Sequence, residues 1–75
     1  MAGKISIIGQ IAEVEREIAM REQVYPKQVR EGKMKPEAAN MLMERMRAVL
    51  ATLRFCQQNE ADIRAFVQAK KAGRA

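Results

Sequence analysis

"YPKQVREGKMKPEAA" (residues 25–39) interrupts a chain of 75 residues that is otherwise patterned for helix. The stretch holds both prolines, one of the four glycines and four of the fourteen basic side chains. Proline lacks an amide donor and biases the preceding residue away from helix, so Tyr25-Pro26 is expected to end a first helix at about Val24. "PKQVRE" then suits one helical turn with Pro26 at its first position, stopped by Gly32 in the left-handed conformation. Lys35-Pro36-Glu37 restarts the chain, with Pro36 as the first helical residue and Glu37 against the positive end of the helix dipole. Residues 25–35 therefore predict a connector that reverses the chain between two helices.

On the N-terminal side, Ile7, Ile11, Val14, Ile18 and Tyr25 fall at spacings of four, three, four and seven, with Arg21 where the next apolar residue would stand. That is a heptad-type helical stripe, predicting a helix over about 7–24. Ser6 is a candidate cap, and Glu17 and Arg21 are spaced for an i,i+4 pair. On the C-terminal side the stripe runs Ala39, Leu42, Met46, Val49, Leu53, Cys56, then Glu60 as an exception, then Ile63 and Val67. It predicts a helix over about 36–70, with residues 71–75 left as a disordered tail. Arg21 and Glu60, the two polar interruptions, are expected to pair with each other or across a dimer.

The two helices cannot match in length. At ~1.5 Å per residue the second stripe would be a rod near 50 Å, whereas the first reaches only near 27 Å. A simple hairpin leaves Ile63, Phe66 and Val67 without an intrachain partner. One solution is a homodimer that pairs the distal half of the long second helix, and it is favoured because no glycine or proline enforces a break between Ala38 and Gly73. The alternative is a monomeric three-helix bundle, with Asn59 as a cap for a short third helix. Either way the fold class is all-α, a single helical domain over 1–75. The core stripe is expected to comprise Ile11, Val14, Ile18, Leu42, Met46, Val49, Leu53, Ile63 and Val67.

Size argues in the same direction, since so short a chain exposes much of its surface even when folded and usually needs a disulfide, a metal or oligomerisation. Cys56 is the only cysteine and there is no histidine, so an internal disulfide and a soft-ligand zinc site are excluded. Oligomerisation remains. No apolar stretch approaches the ~20 residues of a membrane span, and "KISIIG" is too short for a signal-peptide core, so no membrane association and a cytoplasmic setting are expected.

The net charge of +5 is concentrated in the connector and in the tail "QAKKAGRA". Lys27, Arg30, Lys33 and Lys35 are read first as solvated groups on a connector. Read as a recognition surface, Tyr25, Lys27, Arg30 and Lys33, with the off-stripe Met41, would dock on an acidic partner protein. The alternative is a nucleic-acid-associated protein using these cations together with Lys70, Lys71 and Arg74. Catalysis has little to draw on: Ser6, Thr52 and Tyr25 carry the only side-chain hydroxyls, and Cys56 lies on the apolar stripe. Paired Glu-x-x-His metal motifs cannot be built without histidine. No cofactor is expected, and the chain is read as non-enzymatic.

The run "EREIAMREQVYPKQVREGKMKPEAANMLMERMRAVLATL" resembles a group of small bacteriophage and prophage proteins. Their shared pattern corresponds here to Arg21, Val24, Tyr25, Pro26, Val29, Gly32, Lys33, Met34, Ala39, Met46, Thr52 and Leu53, covering about half the chain. The resemblance implies a phage or prophage origin, a bacterial host cytoplasm and a host or phage protein as partner; the group has no assigned activity. Lys35 stands where a capping Thr or Ser is more usual, so the second helix is expected to begin less firmly.

Overall fold

The structure, a computed structural model, describes residues 5–73. Three helices follow one another: α1 (Ile7–Arg30), α2 (Pro36–Gln58) and α3 (Glu60–Gly73). Arg74, and with it the end of the expected tail, lies outside the described residues; residues 71–73 belong to α3 instead of to a disordered tail.

α1 begins where the sequence places it. Ser6 has extended backbone angles and its Oγ accepts from the Gly9 amide at 3.1 Å, satisfying one of the otherwise unpaired first-turn donors. Its end is different from the expectation: α1 does not stop at Val24 but runs through Pro26 to Arg30. Proline in a helix forfeits one bond to the carbonyl four residues back. Here the turns on both sides are held by packing, since Tyr25, Gln28 and Val29 are half-buried. Tertiary burial outweighs the local penalty, and the connector shrinks from residues 25–35 to 31–35.

The stop at Gly32 is as read. Gly32 has φ +71°, its amide donates to Val29 O at 3.1 Å, and the Lys33 amide donates to Gln28 O at 2.9 Å. These two bonds form a Schellman motif, which needs a left-handed residue at this position. No neighbouring atom lies within 4 Å of a Cβ built on Gly32, so the demand is purely conformational. Gly32→Ala is therefore expected to cost about 1 kcal/mol by denaturant unfolding, and Gly32→Asn less, because asparagine tolerates this region better. Equal stability of the wild type and the alanine variant would contradict the role given to Gly32. α2 then starts at Pro36 with Lys35 making no side-chain cap, in line with the missing Thr or Ser.

α1 and α2 pack as an antiparallel hairpin. Glu22 meets Arg47 at 3.6 Å and Glu15 meets Arg54 at 2.7 Å, seven residues earlier on α1 and seven later on α2. Both pairs are half-exposed, so they mark the register more than they stabilise it. Only Ile11 and Ala39 are buried, each 8% exposed, among the described residues. Ile7, Val14, Ile18, Leu42, Met46, Leu53 and Cys56 are half-buried, as their stripes predict.

Val49 is a correction. It is 46% exposed, and its neighbour Leu50 faces inward instead. Val49 lies at the edge of the seam, lining a shallow groove with Val14 of α1 and Leu53 that no other described side chain fills.

The expected single helix over 36–70 is divided at Asn59, whose φ −111° and ψ 18° depart from helical values. The Asn59 side chain does not cap α3; its Nδ2 donates back to Phe55 O at 2.8 Å. On either side the ladder continues, with the Asn59 amide on Phe55 O at 3.0 Å and the Ile63 amide on Asn59 O at 2.9 Å. α3 packs only on the end of α2 that it follows and does not fold back on α1, so no three-helix bundle forms.

The longest dimension is 59 Å, close to the ~57 Å that helix over residues 36–73 would span. The radius of gyration is 17.7 Å, against about 11 Å for a compact domain of this length. Ile63 and Val67, expected in the core stripe, are 39% and 42% exposed: Ile63 only borders a shallow groove with Ile5, Ile7 and Ile8, and no described helix packs over Val67.

Candidate interaction surfaces

Among the described residues apolar surface is left open at each end of the rod, besides the shallow groove that Val49 and Leu53 form with Val14. At the closed end of the hairpin, Tyr25, Pro26 and Val29 of α1 face Pro36, Ala39 and Met43 of α2 across a cleft of about 600 Å³, with Glu22, Arg30 and Asn40 on its polar edge. The extension of α1 through Pro26 creates this cleft. Had the helix ended at Val24, Val29 would not stand over Met43.

Arg21 supports the cleft floor. Its guanidinium bonds the Glu17 carboxylate at 2.7 Å and Leu42 O at 3.1 Å, and lies 5.7 Å from the centroid of the Tyr25 ring. These contacts hold an aromatic ring in place with a cation over its face. The hydrogen bond to Glu17 is the main cause of a raised Arg21 pKa. A raised folded-state value contributes stability that is lost only as pH climbs through it, far above neutrality, so Arg21 stays charged throughout the ordinary range. The i,i+4 pair with Glu17 is as the spacing predicts. The expected pairing of Arg21 with Glu60 is not found within the chain: Glu60 pairs with Arg64 at 2.6 Å, at the other end of the molecule.

The five residues proposed from sequence as partner contacts do not form one surface. Tyr25 and Arg30 line the cleft. Lys27 is exposed on the outer side of α1, and Lys33 makes a 3.5 Å pair with Glu31 in the connector. Met41 is 43% exposed but sits 200° around α2 from both Ala39 and Met43 at 100° per residue, so it faces away from the cleft. Sequence reasoning missed Pro26, Val29, Pro36 and Met43 as a group. Their signal was the connector itself, with apolar residues clustered beside both prolines.

The second surface runs along the outer side of α2 and α3. Phe55 near the end of α2 and Phe66 on α3 are 61% and 63% exposed. Ile63 and Val67 extend this face. Beside it, Ile5, Ile7 and Ile8 from the start of α1 form a shallow groove with Cys56 and Ile63, so Cys56 is half-buried packing with a free thiol. Among the described residues no three His, Cys, Asp or Glu side chains converge as a metal site. Nor is any described helix long and apolar enough to cross a membrane.

Compared with protein-family models, curated proteins and solved structures, the chain matches none.

Proposed function

We propose that the protein is a non-enzymatic interaction module of phage or prophage origin that acts by docking on another protein, from the host or the phage. The observation that carries this reading is the closed-end cleft, where an immobilised aromatic ring, two prolines and a methionine form an apolar floor beside an exposed arginine. Interfaces concentrate their binding energy in such places, where a rigid aromatic or arginine anchor fills or borders a pocket. An apolar cleft with Arg30 at its rim suits a partner segment that inserts one or two apolar side chains and carries a carboxylate.

Site-specific photo-crosslinking in the host cell tests the reading. A benzophenone amino acid in place of Tyr25 and, separately, of Arg30 is expected to capture the same protein. Met43→Asp is expected to abolish both adducts, while a probe at the exposed Gln57 gives neither. The competing result is retention on DNA or RNA at low ionic strength that falls steeply with salt and is lost with Lys27, Lys33, Lys70 and Lys71. That outcome, with no cleft-dependent adduct, would replace docking on a protein by nucleic-acid binding.

A further inference from the structure

The outer face of α3 has a different occupant. We infer that a second copy of this chain covers it, with the two α3 helices antiparallel and their two-fold axis near Phe66. Three observations support this, none of which involves the closed-end cleft.

The first is the unmatched length. α3 extends beyond the start of α1 with Phe66 and Val67 uncovered and Ile63 only bordering a shallow groove, and every residue from Ala61 to Gly73 is exposed. α3 is held at its start by continuity with α2 and has no described helix along the rest of its length, where a short helix is marginal in water and gains from a surface to lie against.

The second is area. The chain exposes 6284 Å², whereas a compact monomer of this mass exposes about 4,650 Å². The excess, doubled for two chains, is roughly 3,000 Å². It belongs to the whole rod, and the end built by α3 contributes to it; obligate homodimer interfaces start at about 2,000 Å², so the rod has area to spare for one.

The third is charge, and it fixes the direction. α3 carries Glu60 and Asp62 in its first turn and Lys70 and Lys71 in its last. A parallel pair would set acid beside acid and base beside base. An antiparallel pair centred on Phe66 sets Asp62 beside Lys70 of the second copy at both ends, and Phe66 beside its own counterpart. The Lys70 ammonium already lies 5.6 Å from the Phe66 ring centroid, on the same side of the helix as the proposed seam. Asp62 stands four residues before Phe66 and Lys70 four after, so they border the seam about 40° to either side of Phe66 and about one turn from the axis.

If the docking reading above also holds, the dimer carries its two clefts at opposite extremities, about 100 Å apart, and can bridge two copies of a partner.

Charge exchange measured by sedimentation tests the arrangement directly. The wild type is expected to dimerise. Asp62→Lys, which sets like charges together at both ends, is expected to weaken dimerisation at least about tenfold, and Asp62→Lys with Lys70→Asp to restore it to within about threefold. A parallel pair would not be restored, because each position would then face itself. Phe66→Glu provides a second arm that does not depend on charge pairing. Because Phe66 makes no contact with α1, its substitution is expected to leave the hairpin helical and the chain monomeric. A monomeric wild type, a double variant no better than the single, or a Phe66→Glu chain that remains dimeric would each overturn the inference. None of these outcomes bears on the closed-end cleft.

Discussion

Replacing Ile11 with alanine is expected to lower stability by about 3 kcal/mol, seen as a fall in the urea midpoint at unchanged slope. Ile11 is the one large side chain buried among the described residues, 8% exposed. The register marked by Glu15 and Arg54 sets it level with the last turn of α2, where Leu53 and Cys56 are half-buried. Truncation removes three carbons from water-excluded contact and leaves a gap that two rigid helices cannot close. Marginal stability makes the loss large: at ~0.05–0.15 kcal/mol per residue, a chain of this length holds about 4–11 kcal/mol in total. Met20→Ala, on a side chain 52% exposed, is the control and is expected to change stability by no more than about 0.5 kcal/mol. Equal effects from the two would mean that the seam between α1 and α2 is not where the chain's stability lies.

Ala39→Gly is expected to cost about 2 kcal/mol by the same measurement. About half of this is the lower helix propensity of glycine, and the rest is the loss of a buried methyl group. Ala39 is as buried as Ile11, and its amide bonds Lys35 O at 3.0 Å in the first turn of α2. It stands in the cleft wall where α1 and α2 come together, so small size and full burial coincide. Ala51→Gly, at an exposed position on the same helix, isolates the propensity part and is expected to cost about 1 kcal/mol. No difference between the two variants would show that the Ala39 methyl group contributes nothing by burial.

The hairpin was legible because its signals are local. Ser6 before an apolar repeat, Gly32 after a helical turn and Pro36 before a glutamate each act within a few residues, and each does in the structure what its chemistry demands. The stripe from Ile7 to Tyr25 is likewise a direct consequence of 100° per residue. Pro26 was misread because its cost is local while its compensation is not: Tyr25 and Val29 pack across the hairpin, and no window of sequence around the proline contains that packing. Val49 is on the predicted stripe but at the edge of the seam, in a groove with Val14 and Leu53, and how far a groove is filled depends on packing that no window of sequence contains. Asn59 was noticed as a punctuation mark, but its direction depended on which backbone group its amide would choose. It chose Phe55 O behind it, so the chain continues instead of turning back.

The candidate surfaces were legible to a smaller extent. Four cations close in sequence suggested a patch, yet neighbours along a helix point in different directions. Tyr25 and Arg30 meet at the cleft, while Lys27 and Met41 face elsewhere. The outer face of α3 was better signalled, because a helix longer than its partner must leave apolar residues uncovered whatever the loop geometry.

That uncovered face carries the proposed dimer, in which one chain builds a hairpin and supplies half of a second interface. Sedimentation equilibrium over a wide concentration series tests it most directly. The predicted result is a reversible approach to twice the 8.5 kDa chain mass, accompanied by a rise in helicity as α3 acquires its partner. A constant single-chain mass at every concentration would contradict it.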